Sequence, residues 1–488
     1  MVENQSTIFE MLYQTFKITK PIRLITLFSG YDSQALALKY LGVEYEHYKT
    51  CEWAIKSIQA LKDLHFGDDT KDYSKDIETS QIKEFLFNKG ISSNYNDPMN
   101  KNQINRLNDK QVRTIYNNIK ATHNLVNIQQ VKGKDLEIVD SDKFTYLLTY
   151  SFPCQDLSLA GKGKGMSDTT TRSGMLWEVE RILTECKEKP QILLMENVPQ
   201  VHGEGNKEDF NKWQLRLEEL GYKNYWQDLI ATDYGIPQTR NRCFMVSILG
   251  DYNYTFPKPI PLKLKLKDLL EDNVDEKYYL SDKMLEYCLG VNQKESDFPR
   301  GERFLQSLSQ TNDKNLATTI TTNAGNRPTD NFIKIKNATK KGYLEAKEGD
   351  GIDLCQPNSE TRRGRVQKEK TPTITTMGGG HLGVIVSDKP KVLGGIGEKD
   401  SNNNTQWKQQ NRVYDDKVAI SVTTAFNPYY KDDLRIRKLT PKECFRLMGV
   451  KDEDFEKIAK SQSDSSLYHL AGDSIVVNVL MAIFKEMI

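Results

Sequence analysis

Two strand ends and one strand start in this sequence carry side chains able to do covalent and acid–base work. Cys154 directly follows Pro153, at the end of a buried-strand pattern, Phe144 to Leu148, that continues through Thr149-Tyr150-Ser151-Phe152. The proline fixes its own φ and biases Phe152 toward extended backbone, which sets the direction of the thiol. A glycine- and lysine-rich loop, Gly161-Lys162-Gly163-Lys164-Gly165, follows. A lone cysteine more often packs as a small hydrophobe than reacts, so its position alone decides little. Glu196-Asn197-Val198 closes a second apolar run, Gln191 to Met195, and Arg240 and Arg242 open a third, two residues apart. Residues two apart in a strand share a face. A thiol, a carboxylate and paired guanidinium groups suit nucleophilic attack on an electron-poor ring, with the charge that develops held by the acid and the cations.

The elements that must position these groups read as an α/β sheet. Ile22 to Phe28 is a buried parallel strand, Ser29-Gly30-Tyr31-Asp32-Ser33 a turn, and Gln34 to Leu41 a helix. Strand, glycine turn and helix present helix N-terminal amides to a ligand. A full GxGxxG is absent, which speaks against a dinucleotide. A second strand, Glu44 to Thr50, ends in Cys51-Glu52-Trp53. An acid about 20 residues after the glycine turn is where mononucleotide-binding folds hold a ribose, and Trp53 offers a flat face for an adenine. The plainer reading of Glu52 is an acid at a helix start. Residues 60–125 form a polar insertion in which Val112, Ile115, Tyr116 and Ile119 make one apolar stripe behind a cap at Asn108 or Asp109. Further helices are expected at Thr7 to Phe16, Met175 to Cys186, Cys444 to Met448 and Val476 to Met487, with a turn at Asp233 to Gln238.

Composition narrows the class. The 488 residues allow two or three domains, and the seven cysteines lie apart with no CxxC pair, which argues for a reducing cytosol. No histidine pair has ligand spacing, so no metal is expected, and no apolar run of about 20 residues suggests a membrane. The N-terminus, Met1-Val2-Glu3-Asn4-Gln5, is unlike a secretory signal. Residues 301–440 hold 23 Lys and Arg against 16 Asp and Glu inside a chain of net charge +1. Such a basic segment suits a polyanion. Residues 256–430 break the α/β rhythm and carry a repeat, Thr318-Thr319-Ile320-Thr321-Thr322, Thr373-Ile374-Thr375-Thr376 and Ser421-Val422-Thr423-Thr424. Each copy reads as a short β unit followed by a Gly/Asn loop.

The ordered motifs resemble those of DNA (cytosine-5)-methyltransferases of the bacterial or phage modification type. They are FSG at 28–30, Glu52-Trp53, FPCQDLS at 152–158, GKGKGM at 161–166, ENV at 196–198, QTRNR at 238–242, RKLTPKECFRLMG at 437–449 and GDSIVVNVL at 472–480, spanning almost the whole chain. The resemblance implies a Rossmann-like S-adenosylmethionine-dependent methyltransferase domain (1–255), a smaller β-rich target-recognition domain (256–430) and a C-terminal return (431–488). It implies that Cys154 adds to C6 of a flipped-out cytosine, that Glu196 bonds the ring's N3 and amine, and that Arg240 and Arg242 contact or hold the base. S-adenosyl-L-methionine would be held by Phe28, Gly30, Asp32, Glu52, Trp53, Asn127, Ile128, Pro153 and Ser474. Double-stranded DNA would be met by Gln155, Ser158, Lys162, Arg172, Gln238, Arg365 and, in place of the family's Thr-Leu element, Ser421 and Val422. A cytoplasmic monomer, with a cognate restriction endonuclease as a partner, fits the same resemblance. Two positions depart from the family: Asn127 stands where Asp is usual, and Asp473 where Asn is usual.

The resemblance makes Arg327, Arg362, Arg363, Arg365 and His381 candidates for contact with the DNA groove or phosphates, and the bland alternative for each is a solvated charge or a phosphate anchor. Rival functions are a tRNA cytosine-5 methyltransferase, disfavoured by the long variable region, and a catalytically silent DNA-binding regulator, disfavoured by intact Cys154, Glu196, Arg240 and Arg242. A nicotinamide oxidoreductase would need the missing glycine fingerprint.

Overall fold

The computed structural model describes residues 15–153, 173–279, 333–336, 343–354, 363–374, 382–388, 392–395, 398–399, 405–406, 412–414 and 433–488. The chain divides into two units: Met1–Glu271 with Thr373–Gly380 and Thr440–Ile488, and Asp272–Pro372 with His381–Leu439. These boundaries fall at 271/272 and 439/440, later than the 255/256 and 430/431 read from composition, and they return one copy of the Thr-rich repeat to the first unit.

The first unit is built on a six-stranded sheet. Its strands are β1 (Ile22–Leu27), β2 (Tyr45–Cys51), β3 (Thr145–Tyr150), β4 (Ile192–Asn197), β5 (Tyr222–Ile230) and β6 (Asn241–Leu249), in the order β2-β1-β3-β4-β6-β5. β1 pairs in parallel with β2 and β3, and β3 with β4, whereas β6 runs antiparallel to both β4 and β5. An open, mostly parallel sheet with crossover helices keeps its sites outside the carboxyl ends of the strands. Here those ends are Leu27, Cys51, Tyr150 and Asn197. β1, β3 and β4 are buried almost without a break, as strands covered on both faces must be.

The helices follow local chemistry. α1 (Ser33–Leu41) starts on Asp32, whose carboxylate accepts from the Ala35 amide, and ends on Gly42 in the left-handed region. The insertion contributes α2 (Ile55–His65), α3 (Thr79–Lys89), α4 (Lys101–Asn105) and α5 (Asp109–Ala121). The expected cap is Asn108, which forms a reciprocal capping box with Gln111. The expected stripe of Val112, Ile115 and Ile119 is buried, with Tyr116 packed against a separate core that includes Ile58, Ile82, Leu86 and Ile104. α6 (Leu176–Glu185) buries Leu176, Val179, Ile182 and Leu183 on one face. α7 (Lys207–Glu219) delivers Trp213, whose Nε1 donates to the Tyr150 hydroxyl at 3.2 Å beneath β3. The return supplies α8 (Pro441–Arg446), α9 (Asp452–Ala459), α10 (Asp464–Asp473) and α11 (Val477–Lys485). α8 opens on a Thr440–Glu443 capping box with Pro441 at its first position.

One expectation falls on undescribed residues and another meets a different outcome. The helix expected at Thr7 to Phe16 lies almost wholly outside the described residues; Phe16 instead donates its backbone N–H to Asn253 O. The stretch Asp464–Lys485 does reach the length and hydropathy of a membrane span, but 72% of its most apolar window is buried inside the protein. It is also interrupted between α10 and α11.

In the second unit Val366–Gln367, Gly351–Asp353, Leu382–Asp388 and Asp433–Lys438 form an antiparallel sheet in that order. Three further two-stranded ribbons make its described part β-rich. Asp433–Lys438, read from sequence as the start of the return, belongs to this sheet.

Replacing Asn108 by Ala removes an N-cap and should lower stability by about 1 kcal/mol. Urea unfolding followed by circular dichroism measures this, and an unchanged midpoint would refute the cap's contribution.

Candidate functional site

The ends of β3 and β4 are locked together by side chains. Ser151, just past β3, donates its hydroxyl to Oε2 of Glu196. Asn197 donates Nδ2 to the Phe152 carbonyl at 2.9 Å and accepts the Val198 amide on Oδ1. The backbone immediately before Pro153 is therefore fixed by the Glu196-Asn197 pair. Cys154 itself lies outside the described residues, as do Gln155, Ser158, Lys162 and Arg172.

Glu196 is buried, 4% exposed. Arg242 comes from β6, on the far side of β4, and its Nε stands 3.1 Å from Glu196 Oε1. That oxygen receives no hydrogen bond among the described residues. A buried carboxylate oxygen with a cation beside it and no donor upon it is an acceptor held for an incoming N–H or O–H group. Arg242 Nη1 also donates to Asn241 O at 2.7 Å.

Arg240 serves otherwise. It is buried, and its guanidinium donates to the carbonyls of Ile374 at 2.8 Å, Gly472 at 3.0 Å and Ser474 at 2.8 Å. It thus acts as a positioning residue. Gln238, expected to meet DNA, is fully buried: Nε2 donates to Leu447 O at 2.7 Å, and Oε1 accepts from the Ile374 amide at 3.2 Å. These bonds draw Ile374, in the middle repeat copy, onto the turn that begins QTRNR. Ser421 and Val422 lie outside the described residues. Arg365 is also buried, with Nε and Nη2 on the Asp353 carbonyl at 3.1 and 3.0 Å, so its charge braces the second unit's sheet and is not presented to a groove.

A second cluster gathers at the ends of β1 and β2. Phe28 (φ 58°) and Gly30 (φ 55°) take the left-handed region, and a Cβ added at Gly30 would meet nothing within 4 Å, so the turn faces open space. Glu52 receives the amides of Gly30 at 2.9 Å and Ala54 at 2.8 Å. Burial pushes Glu52 up to about 7 against the pull of those amides, and the Asp473 carboxylate adds to the rise. Asn124, which sequence reasoning missed, holds this cluster: Oδ1 accepts from the Glu52 and Val126 amides, and Nδ2 donates to Glu52 O. It brings Val126, the residue before Asn127-Ile128, beside Glu52. Ser474 joins from the C-terminal return by accepting from Tyr31 Oη at 2.7 Å, while the Ile475 amide donates to Ser33 Oγ.

Asp32 is a correction. Both its oxygens are engaged, one by the Ala35 amide and the other by Thr26 Oγ1 and His47 Nε2 at 2.8 and 2.7 Å, and it is 1% exposed. Burial opposes its ionisation, but His47, His65 and Thr26 hold the carboxylate below the usual range. Asp32 therefore builds the turn and does not face a ligand.

Comparison with known proteins identifies the family of the chain. A family model described as C-5 cytosine-specific DNA methylase matches residues 89–488. The type II methyltransferase M2.ScrFI of Lactococcus lactis subsp. cremoris is 30% identical over 470 residues, covering 96% of this chain and 99% of its own. The orphan methyltransferase M.SssI of Spiroplasma monobiae is 37% identical over 278 residues, covering 56% of this chain and 70% of its own. A crystal structure of a Dnmt2 methyltransferase from S. pombe aligns with a TM-score of 0.45 at 13% identity, over 95% of this chain and 97% of that one.

Replacing Arg240 by Met strips three buried carbonyls of charge-assisted donors and should destabilise the protein by about 3 kcal/mol or more. A denaturation midpoint within error of the parent's would show that Arg240 does not hold these segments.

Proposed function

The chain belongs to the C-5 cytosine-specific DNA methylases, which transfer a methyl group from S-adenosyl-L-methionine to cytosine in DNA, and we propose that it does so through a covalent Cys154–C6 adduct on a flipped-out base. The observation that carries this reading is the Glu196 carboxylate, with one oxygen engaged by Ser151 and the other buried beside Arg242 without a donor among the described residues. Cytosine offers such an oxygen its exocyclic N–H.

In the proposed reaction the Cys154 thiolate forms a bond to C6 while the C5–C6 π electrons move toward C5. Glu196 brings a proton to N3 and accepts from the amine, which disperses the charge arriving from sulfur. Arg242 keeps Glu196 oriented and faces the base carbonyl. S-adenosyl-L-methionine, when bound, supplies an electrophilic methyl group. After C5 is methylated its proton leaves to water, its electrons re-form the C5–C6 double bond as the C6–S electrons return to sulfur, and N3 gives its proton back to Glu196. The target must leave the helix stack for sulfur to reach C6.

The donor cluster fits a nucleoside. Glu52 offers a carboxylate for ribose hydroxyls, Trp53 and Ile128 offer flat or apolar surface for the adenine, and the open left-handed turn at Phe28 to Gly30 leaves backbone exposed to the ligand. Ser474 borders the same cluster by accepting from Tyr31 and through the Ile475 amide on Ser33 Oγ. Residues 256–430 are proposed to choose the target sequence. The bonds from Gln238 and Arg240 to Ile374 support Thr373-Ile374 in the Thr-Leu role that the sequence suggested for Ser421-Val422.

Methyl-cytosine sequencing of DNA from cells expressing the protein, beside a Cys154→Ala control, tests the whole reading. Methylation at cytosines of one short motif, absent from the control, is expected. Equal methylation in the control would refute the adduct. Glu196→Gln should lower turnover at least a hundredfold while leaving donor affinity within about twofold, since the group acts on the base. Because Glu52 sits near 7, lowering the pH through that range should protonate it and weaken donor binding by up to about tenfold per unit. Asp473→Asn removes a neighbouring negative charge, so the loss should begin at lower pH. Calorimetric titration at several pH values measures both, and superimposable profiles would exclude Asp473 as a contributor.

A further inference from the structure

Away from the catalytic rim, three side chains with metal-ligand chemistry converge on the opposite face of the same strands. His202 lies in the turn Pro199–His202 after β4, Asp228 near the end of β5, and Cys243 near the start of β6. Asp228 and Cys243 are direct cross-strand partners, so their side chains stand on one face. His202 Nε2 is 3.0 and 3.1 Å from the two Asp228 oxygens, and the ligating atoms of all three residues lie within 4.8 Å of one another. Arg242, next to Cys243, and Glu196, next to the Asn197 that pairs with Cys243, belong to the other face.

We propose that His202, Asp228 and Cys243 form a binding site for a thiophilic divalent cation of the Zn²⁺ type. Sulfur, imidazole and carboxylate are the ordinary ligands of that ion, with bonds of roughly 2.0 to 2.3 Å. Tetrahedral bonds of that length need ligand separations of roughly 3.3 to 3.6 Å, so closure asks for sub-ångström to ångström side-chain shifts. The charges also match: an aspartate and a thiolate neutralise a dication, and a neutral imidazole completes three ligands. Without an ion the Cys243 thiol is pushed up by burial and by the Asp228 and Glu196 carboxylates. On binding, the thiol proton leaves to solvent as the sulfur–metal bond forms.

The surroundings prepare the site. The Cys243 side chain is buried, whereas His202 and Asp228 keep 25% and 32% of theirs exposed, which gives an ion a route in and room for one water as fourth ligand. The imidazole is packed at 4.7 Å from the Trp226 ring and at 6.2 Å from Phe210, which restrains its orientation. Asn197, the partner of Cys243 on its other side, bonds the Phe152 carbonyl two residues before Cys154. An ion here would tie the ends of β4, β5 and β6 directly behind the catalytic rim. Chain spacing hides the trio, because its members come from three elements.

The test is a titration of chelator-treated full-length protein with Zn²⁺ against a chromophoric chelator, and with Co²⁺ by absorption. One ion per chain is expected, with a thiolate-to-cobalt charge-transfer band. His202→Gln should weaken binding by about tenfold or more, and Cys243→Ser should abolish the band. Cys154→Ala should retain both. Saturating Zn²⁺ should raise the unfolding temperature of the parent and of Cys154→Ala, but not of His202→Gln. Donor affinity of each variant reports folding, and His202→Gln, in a half-exposed turn, guards against loss of the buried cysteine unfolding the protein. No stoichiometric ion in the parent, binding unchanged in His202→Gln and Cys243→Ser, or a band that vanishes with Cys154 would each overturn the proposal.

Discussion

The guanidinium of Arg240 is the constraint on which the first unit's site depends. A buried cation must be surrounded by acceptors, or folding bears a large desolvation penalty. Here the acceptors are carbonyls from Ile374, Gly472 and Ser474, segments separated from Arg240 by 134, 232 and 234 residues. The requirement to satisfy one side chain therefore gathers the start of β6, a fragment of the variable region and the hinge between α10 and α11. Ser474 is then in place to accept from Tyr31, which fixes the glycine turn, and Gln238 is in place to hold the Ile374 amide. Two residues along, Arg242 emerges on the face where Glu196 waits. The strand end at Glu196 and the cluster at Glu52 are thus joined through the segments that Arg240 gathers.

What the sequence made legible was what local chemistry decides. The strands ending at Leu27 and Tyr150 are apolar runs bounded by glycine or proline, and Asn108 followed by Gln111 announces a helix start whatever surrounds it. β5 gave no such sign, because Tyr222–Ile230 is an edge strand whose mixed burial hides the period of two. The direction of β6 was equally hidden, since a strand's own residues carry no mark of its neighbours' polarity.

Residue roles were legible to the extent that partners lay close in sequence. Glu196 and Asn197 sit at a strand end, and their placement followed. Gln238, Asp32 and Arg365 match motif or charge patterns, yet each is claimed by a partner no pattern reveals: Leu447 O and the Ile374 amide for the first, His47 for the second, the Asp353 carbonyl for the third. Asn124 and Ser151 were missed for the converse reason. An asparagine in a loop and a serine after a strand are common, and only the fold turns one into the clasp of Glu52 and the other into the donor to Glu196.

The two departures from the family pattern become a single electrostatic statement in three dimensions. Asn127 accepts the Gln129 amide on Oδ1, a capping bond that an aspartate would make equally well, so the backbone is indifferent to the exchange. What changes is charge: the amide removes a negative group at that edge of the donor cluster. Asp473 restores one elsewhere, paired with His469 at 3.0 Å one helical turn back along α10 and close enough to Glu52 to raise its proton affinity. The negative charge at Asp473 thus acts on Glu52. A carboxylate beside another carboxylate makes ionisation harder. The Asp473 charge therefore adds to the rise that burial gives Glu52 while leaving the backbone scaffold that holds it untouched.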